Sequence, residues 1–127
     1  MKLRPALAQF EEVTEGDETR VKVILAWGEE IHEGTSVGSV SLSARPRLVG
    51  EATLRAVESI AAGKLHLDLA AVATTDLGAS RIAIAQVHSS TAPGALVGSA
   101  VIHENSPEKA TARAVLDAIN RHLEATL

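Results

Sequence analysis

Cysteine and tyrosine are absent from this 127-residue chain, and its aromatic side chains are Phe10 and Trp27 alone. Without thiols there is no disulfide to staple the fold and no thiolate to serve as nucleophile or soft metal ligand. With two aromatics there is no platform on which exposed bases could stack. No run of Lys and Arg occurs and the net charge is −4, so phosphate-driven binding is disfavoured and nucleic acid is not an expected partner. No apolar stretch approaches the ~20 residues that span a bilayer, and Met1-Lys2-Leu3-Arg4-Pro5 lacks the apolar run of a signal peptide. Membrane association is therefore not expected, and the cytoplasm is the expected compartment.

What is present is small and aliphatic. Apolar residues make up 46% of the chain, drawn almost wholly from Ala, Val, Leu and Ile. The length suits one domain with a core large enough to need no staples. Within it, one pattern is written twice. Val37-Gly38-Ser39-Val40 is matched by Val97-Gly98-Ser99-Ala100, an offset of 97 − 37 = 60. Thr53-Leu54-Arg55-Ala56-Val57 is matched by Thr111-Ala112-Arg113-Ala114-Val115 at 111 − 53 = 58, and Leu7-Ala8 with Gly16 by Leu69-Ala70 with Gly78 at 62. Three matches in one order, at nearly one offset, point to two repeats of about 6–63 and 64–127 within a single domain.

Each repeat reads as three strands and a helix. In the first, residues 1–5 are a frayed lead-in, and strands are expected over Ala6–Thr14, Arg20–Trp27 and Glu30–Leu42, the last bent near Gly34 or Gly38. Val21, Val23, Leu25 and Trp27 alternate onto one face. Pro46 opens a helix that Gly63 ends, with Val49, Ala52, Ala56, Val57 and Ile60 as its buried stripe and Glu51–Arg55 as an i,i+4 ion pair. Gly50 inside that helix costs ~1 kcal/mol against Ala; either it permits close packing on the sheet or the helix starts later. In the second repeat, strands are expected over Lys64–Thr74, Arg81–His88 and Ala95–His103, with Leu65, Leu67, Leu69 and Ala71 on one side. Ser106-Pro107-Glu108 is a strong helix start, and Ala110, Ala114, Val115, Ala118, Ile119 and Leu123 form the buried face, with Asp117–Arg121 paired outside. The fold class is α+β: a duplicated βββα–βββα chain with antiparallel sheets, each covered by one helix.

Thr75-Asp76-Leu77-Gly78, the glycines Gly94 and Gly98 and the stretch Ala118-Ile119-Asn120-Arg121 carry a resemblance. The second repeat resembles the C-terminal regulatory domain of 2-isopropylmalate synthase, an allosteric and dimerisation domain. That resemblance implies two pseudo-symmetric βββα units, a homodimer, and a feedback amino acid held between units.

Several constellations bear on chemistry. His88 and His103 end neighbouring expected strands and could approach each other, but no H-x-x-x-H or H-x-H spacing occurs and no metal site is expected. Ser89, Ser90 and Thr91 stand beside His88, yet sequence neighbours on a strand point to opposite faces, which is not the geometry of a nucleophile and its base. Glu11, Glu12, Glu15, Asp17 and Glu18 make an acidic run that reads as a solvated hairpin face. Gly38-Ser39 and Gly98-Ser99, related by the repeat, are the candidate ligand-binding residues. Glycine in a strand marks either packing against a helix or bare backbone open to a ligand or partner. No acid–base–nucleophile set is present, so no catalysis and no cofactor are expected. Ile82 to Ser99 is nearly free of charge, and six strands outnumber two helices. Both argue for a second copy of the chain as cover. The expected function is a non-catalytic, homodimeric regulatory or assembly domain with a small metabolite, such as an amino acid, at the repeat or dimer interface. The other reading is a protein-interaction or scaffold subunit without a ligand.

Overall fold

The computed structural model describes residues 3–103 and 106–127. The strands are β1 (Ala6–Glu15), β2 (Glu18–Trp27), β3 (Glu30–Ser39), β4 (Leu67–Leu77), β5 (Ser80–Ser89) and β6 (Leu96–Val101). The helices are α1 (Arg45–Ala61), entered through one 3-10 turn at Leu42–Ala44, and α2 (Pro107–Thr126). β1-β2-β3 form one antiparallel sheet and β4-β5-β6 another, each followed by its helix. The duplicated βββα–βββα architecture is thus the architecture observed. Of the expected lead-in, residues 1 and 2 lie outside the described residues. The rest is anchored: Pro5 is buried and Arg4 pairs with Glu124 on α2.

Local sequence explains the strand ends. Gly16, Gly28 and Gly78 each take positive φ (63°, 62° and 61°) at the first position of a two-residue hairpin loop, the conformation a II′ turn asks of glycine. β1 and β4 are each interrupted by a bulge at the same point, between Leu7 and Gln9 and between Leu69 and Ala71. The second bulge corrects the expected face of β4. Ala70 is the extra residue, so Ala71 turns to solvent and Val72 takes the inward place after Leu65, Leu67 and Leu69. β3 ends at Ser39, short of Leu42, which begins the 3-10 turn and is 81% exposed.

Helix boundaries differ from expectation in small, physical ways. α1 ends through Ala62 in the left-handed region (φ 51°, ψ 44°), with Gly63 following at φ 82°, so two residues share the reversal assigned to the glycine. The Ser106 side chain makes no capping bond; Thr111 Oγ1 donates back to Pro107 O at 2.8 Å, and Glu108 in the first turn complements the helix dipole. The expected Glu51–Arg55 pair is replaced by Arg47–Glu51 and Arg55–Glu58, each at 3.1 Å. Instead of pairing with Arg121, Asp117 accepts the Ser99 N–H at 3.0 Å.

Every residue of the two expected helix stripes is buried, but α1 buries more than a stripe: Leu48, Gly50, Thr53, Leu54 and Ala61 are covered too. The reason is position. α1 lies on β2 and β3 of its own sheet and also against α2 and β4 of the other unit, so both helices share one core. Gly50 shows the contact: a Cβ there would come within 2.7 Å of Leu69 Cδ2 on β4.

The fold also gives the true repeat. Gly78 follows Gly16 by 78 − 16 = 62, and the bulges and buried triplets (Val21, Val23, Leu25 and Ala83, Ala85, Val87) keep that offset. Gly34 and Gly98 both lie under the following helix, where a Cβ would collide with the backbone at Ala52 and Ala56 or at Ala114 and Ala118. Gly98 therefore corresponds to Gly34, correcting the Gly38–Gly98 match suggested by Val-Gly-Ser.

Candidate functional site

The four candidate residues lie in two different sheets, Gly38 and Ser39 on β3 and Gly98 and Ser99 on β6. Gly98 is filled by α2, and at Gly38 a Cβ would meet Leu48 Cδ2 at 2.8 Å, so both glycines face helices. Ser39 Oγ accepts the Ser41 N–H at 3.1 Å, and the Ser99 N–H is taken by Asp117. These residues are not brought together.

The histidines also part company. β5 and β6 run antiparallel, with Val87 opposite Leu96 and Ile82 opposite Val101, so His88 and His103 stand at opposite ends. His88 sits across from Asp68. No group of three or more His, Asp or Glu suited to a metal ion occurs among the described residues. The hydroxyls near His88 meet a different histidine: Ser89 Oγ and Thr91 Oγ1 lie 3.0 and 2.7 Å from His122 Nε2 on α2. Ser89 Oγ also accepts the Thr91 N–H at 3.3 Å. The arrangement is a clasp that ties the β5–β6 connection to α2. His32 is held similarly, between Ser59 Oγ at 2.8 Å and Glu30 Oε1 at 2.7 Å.

Two features stand out once the repeats are superposed by number. The first is the contrast between the outer sheet faces. On the first sheet the central outward block is Gln9, Glu11, Val13, Arg20, Lys22, Ile24, Glu33, Thr35 and Val37. Lys22 Nζ lies 3.6 Å from Glu11 and 3.9 Å from Glu33, tying all three strands across that face. On the second sheet the corresponding block is Ala71, Ala73, Thr75, Ile82, Ile84, Gln86, Val97, Ser99 and Val101. It holds no charged side chain, and Val97 is 59% exposed.

The second feature is the pair of seams where each helix meets the first strand of the other unit. At the α1–β4 seam, Glu58 Oε2 accepts the Leu67 N–H (2.8 Å), Arg55 Nη2 donates to Leu67 O (2.5 Å), and Arg47 Nη2 donates to Leu69 O (2.9 Å). The edge of β4 is thereby supplied with the partners a neighbouring strand would give. At the α2–β1 seam no such bond forms among the described residues. An open groove of about 360 Å³ remains there, between Pro5, Ala6 and Leu7 on one side and Arg113, Leu116, Asp117 and Asn120 on the other. Asn120 Oδ1 is buried and without a partner. Sequence reading missed both seams because the residues involved are ordinary surface types; only the fold aligns them.

No protein-family model matches the chain, and no curated protein is significantly similar to it. No helix among the described residues is long and apolar enough to cross a membrane. Fold and site define a duplicated βββα α+β domain with one outer sheet face uncharged at its centre and one open helix–strand groove.

Proposed function

We propose that the chain is a non-catalytic regulatory or assembly domain that works as a homodimer and holds a small metabolite at the boundary between repeats or between copies. The observation that carries the proposal is the uncharged central block of the second sheet's outer face. The same nine positions on the first sheet hold Glu11, Arg20, Lys22 and Glu33, so the fold itself tolerates charge there. Leaving Ile82, Ile84, Val97 and Val101 wet forgoes about 25 cal/mol for each Å² that could be covered, and a twofold axis would cover this face with its own copy. The resemblance to a dimerising regulatory domain points the same way. Sedimentation velocity at micromolar concentration tests the assembly, and a thermal-shift screen over amino acids and related metabolites tests the ligand. A chain that stays monomeric at high concentration contradicts the proposal.

A second reading, an interaction subunit without a ligand, is favoured by one observation: Gly38 and Gly98 face helices, so neither leaves bare backbone open to a small molecule. A dimer that no metabolite stabilises selects this reading.

A further inference from the structure

We infer that the Ser59 hydroxyl is a covalent acylation site. It takes an acyl group from an activated ester, with His32 as its base and Glu30 as the residue that positions the base. The modification goes beyond the proposed function and does not depend on the dimer, because Ser59 lies on α1 and not on the second sheet.

The fold builds this trio from rigid elements. α1 runs antiparallel over β3, with Leu48 at Gly38, Ala52 and Ala56 at Gly34, and Ser59 at His32. Glu30, His32 and Gly34 alternate onto one side of β3, the side that meets α1. Ser59 stands 27 residues from His32 in the chain, so no local motif announces the set.

Ser59 Oγ lies 2.8 Å from His32 Nδ1, and His32 Nε2 lies 2.7 Å from Glu30 Oε1. A carboxylate can only accept, so Nε2 carries the ring proton that points at Glu30. In the neutral ring Nδ1 is then the acceptor, and the Ser59 O–H is its donor. The serine itself is exposed, so its oxygen is open to a reagent. The ring is held in place: the His32 side chain is 16% exposed, and Trp27 stands edge-on to it with centroids 6.5 Å apart. When Ser59 gives up its proton, the imidazolium that forms meets the Glu30 carboxylate and the last turn of α1, whose dipole favours a cation. A hydroxyl, a base of fixed tautomer and a carboxylate orienting that base are the parts of an activated nucleophile.

The other hydroxyl–histidine set lacks these features. His122 Nε2 faces both Ser89 and Thr91, no carboxylate holds its ring among the described residues, and Ser89 is buried.

The step balances without a further reactant. Ser59 Oγ bonds to the acyl carbon, the bond from that carbon to the leaving oxygen breaks, and the serine proton passes through His32 to the leaving group. Ser59 is open to solvent, which restricts the donor to esters whose leaving group departs without help. The serine alkoxide is a far poorer leaving group than an aryloxide, so the new ester persists. Each chain is acylated once, as suits a domain that is modified and does not turn over.

Incubation with p-nitrophenyl acetate, followed by release of p-nitrophenolate and by mass mapping of the acetyl group, is the test. The expected result is a burst of one equivalent per chain, with Ser59 acetylated at least about a hundredfold faster than exposed Ser43. Ser59→Ala should abolish the burst, and His32→Gln should slow it at least about a hundredfold. Glu30→Ala should slow it about tenfold, and Glu30→Gln, which keeps an acceptor for Nε2–H, should recover part of that loss. Glu30 is 62% exposed, so its variants report even where His32→Gln fails to fold. Acetyl groups found on lysines but not on Ser59 overturn the inference. So does a Ser59 rate equal to that of Ser43, or one indifferent to both His32→Gln and Glu30→Ala.

Discussion

The two sheets share a topology, a bulge and a packing glycine, yet their outer faces differ in kind. Lys22 bridges Glu11 and Glu33 at the centre of the first face. At the corresponding positions of the second stand Ile84, Ala73 and Val97. The inner faces, by contrast, are interchangeable: Val21, Val23 and Leu25 do in one what Ala83, Ala85 and Val87 do in the other. Duplication fixes the side that must pack on a helix. It leaves the other side free to diverge, and the charges differ there.

The sharpest way to break the shared half of this comparison is to add a methyl group under a helix. Gly98→Ala and Gly34→Ala each place a Cβ against helix backbone, which cannot rotate away, and each should cost about 3 kcal/mol in urea unfolding. Gly38→Ala meets only the end of the Leu48 side chain at 2.8 Å and should cost under about 1 kcal/mol, since a side chain can yield where backbone cannot. Equal losses at all three would contradict the Gly34–Gly98 equivalence.

The divergent half is tested by charge. Val97→Lys puts two lysines into the proposed twofold interface and should weaken dimerisation by about a hundredfold, because each ammonium would be buried without a partner. Val37→Lys, at the corresponding edge of the first sheet, should leave the dimer unchanged. Smaller in effect is the comparison of seams. Glu58→Ala strips the Leu67 N–H of its acceptor and should cost about 1–2 kcal/mol. Asn120→Ala removes a group whose oxygen has no partner and should fall within about 0.5 kcal/mol of wild type by chemical denaturation. Lys22→Met should change stability least, by a few tenths of a kcal/mol, since its ion pairs are exposed and long.

How much of this was legible in the sequence follows from which signals are local. Alternation in Arg20–Trp27, the Gly turns and the Pro-led helices are properties of neighbouring residues, and they placed the six strands and two helices. The Leu7-Ala8 and Leu69-Ala70 match marked the two bulges without revealing that they were bulges, so Ala71 was assigned to the wrong face. The Val-Gly-Ser match misled. The β5–β6 connection is longer than the β2–β3 turn, so β6 follows its counterpart β3 by 98 − 34 = 64 residues, and the glycine over the helix in the first repeat is Gly34. Contacts between distant segments were beyond reach. His122 meets Ser89 across 33 residues, and Arg55 meets Leu67 across the boundary between the repeats. The candidate residues failed to converge for the same reason: a shared motif placed them in equivalent-looking strands of separate sheets.

Cover of the uncharged centre of the second sheet's outer face by a second copy is tested most directly by sedimentation equilibrium of the wild type beside Val97→Lys and Val37→Lys. Wild type and Val37→Lys should sediment at twice the 13.2 kDa chain mass at micromolar concentration, while Val97→Lys should sediment as the single chain. A wild-type monomer, or a dimer that survives Val97→Lys and is lost in Val37→Lys, would contradict it.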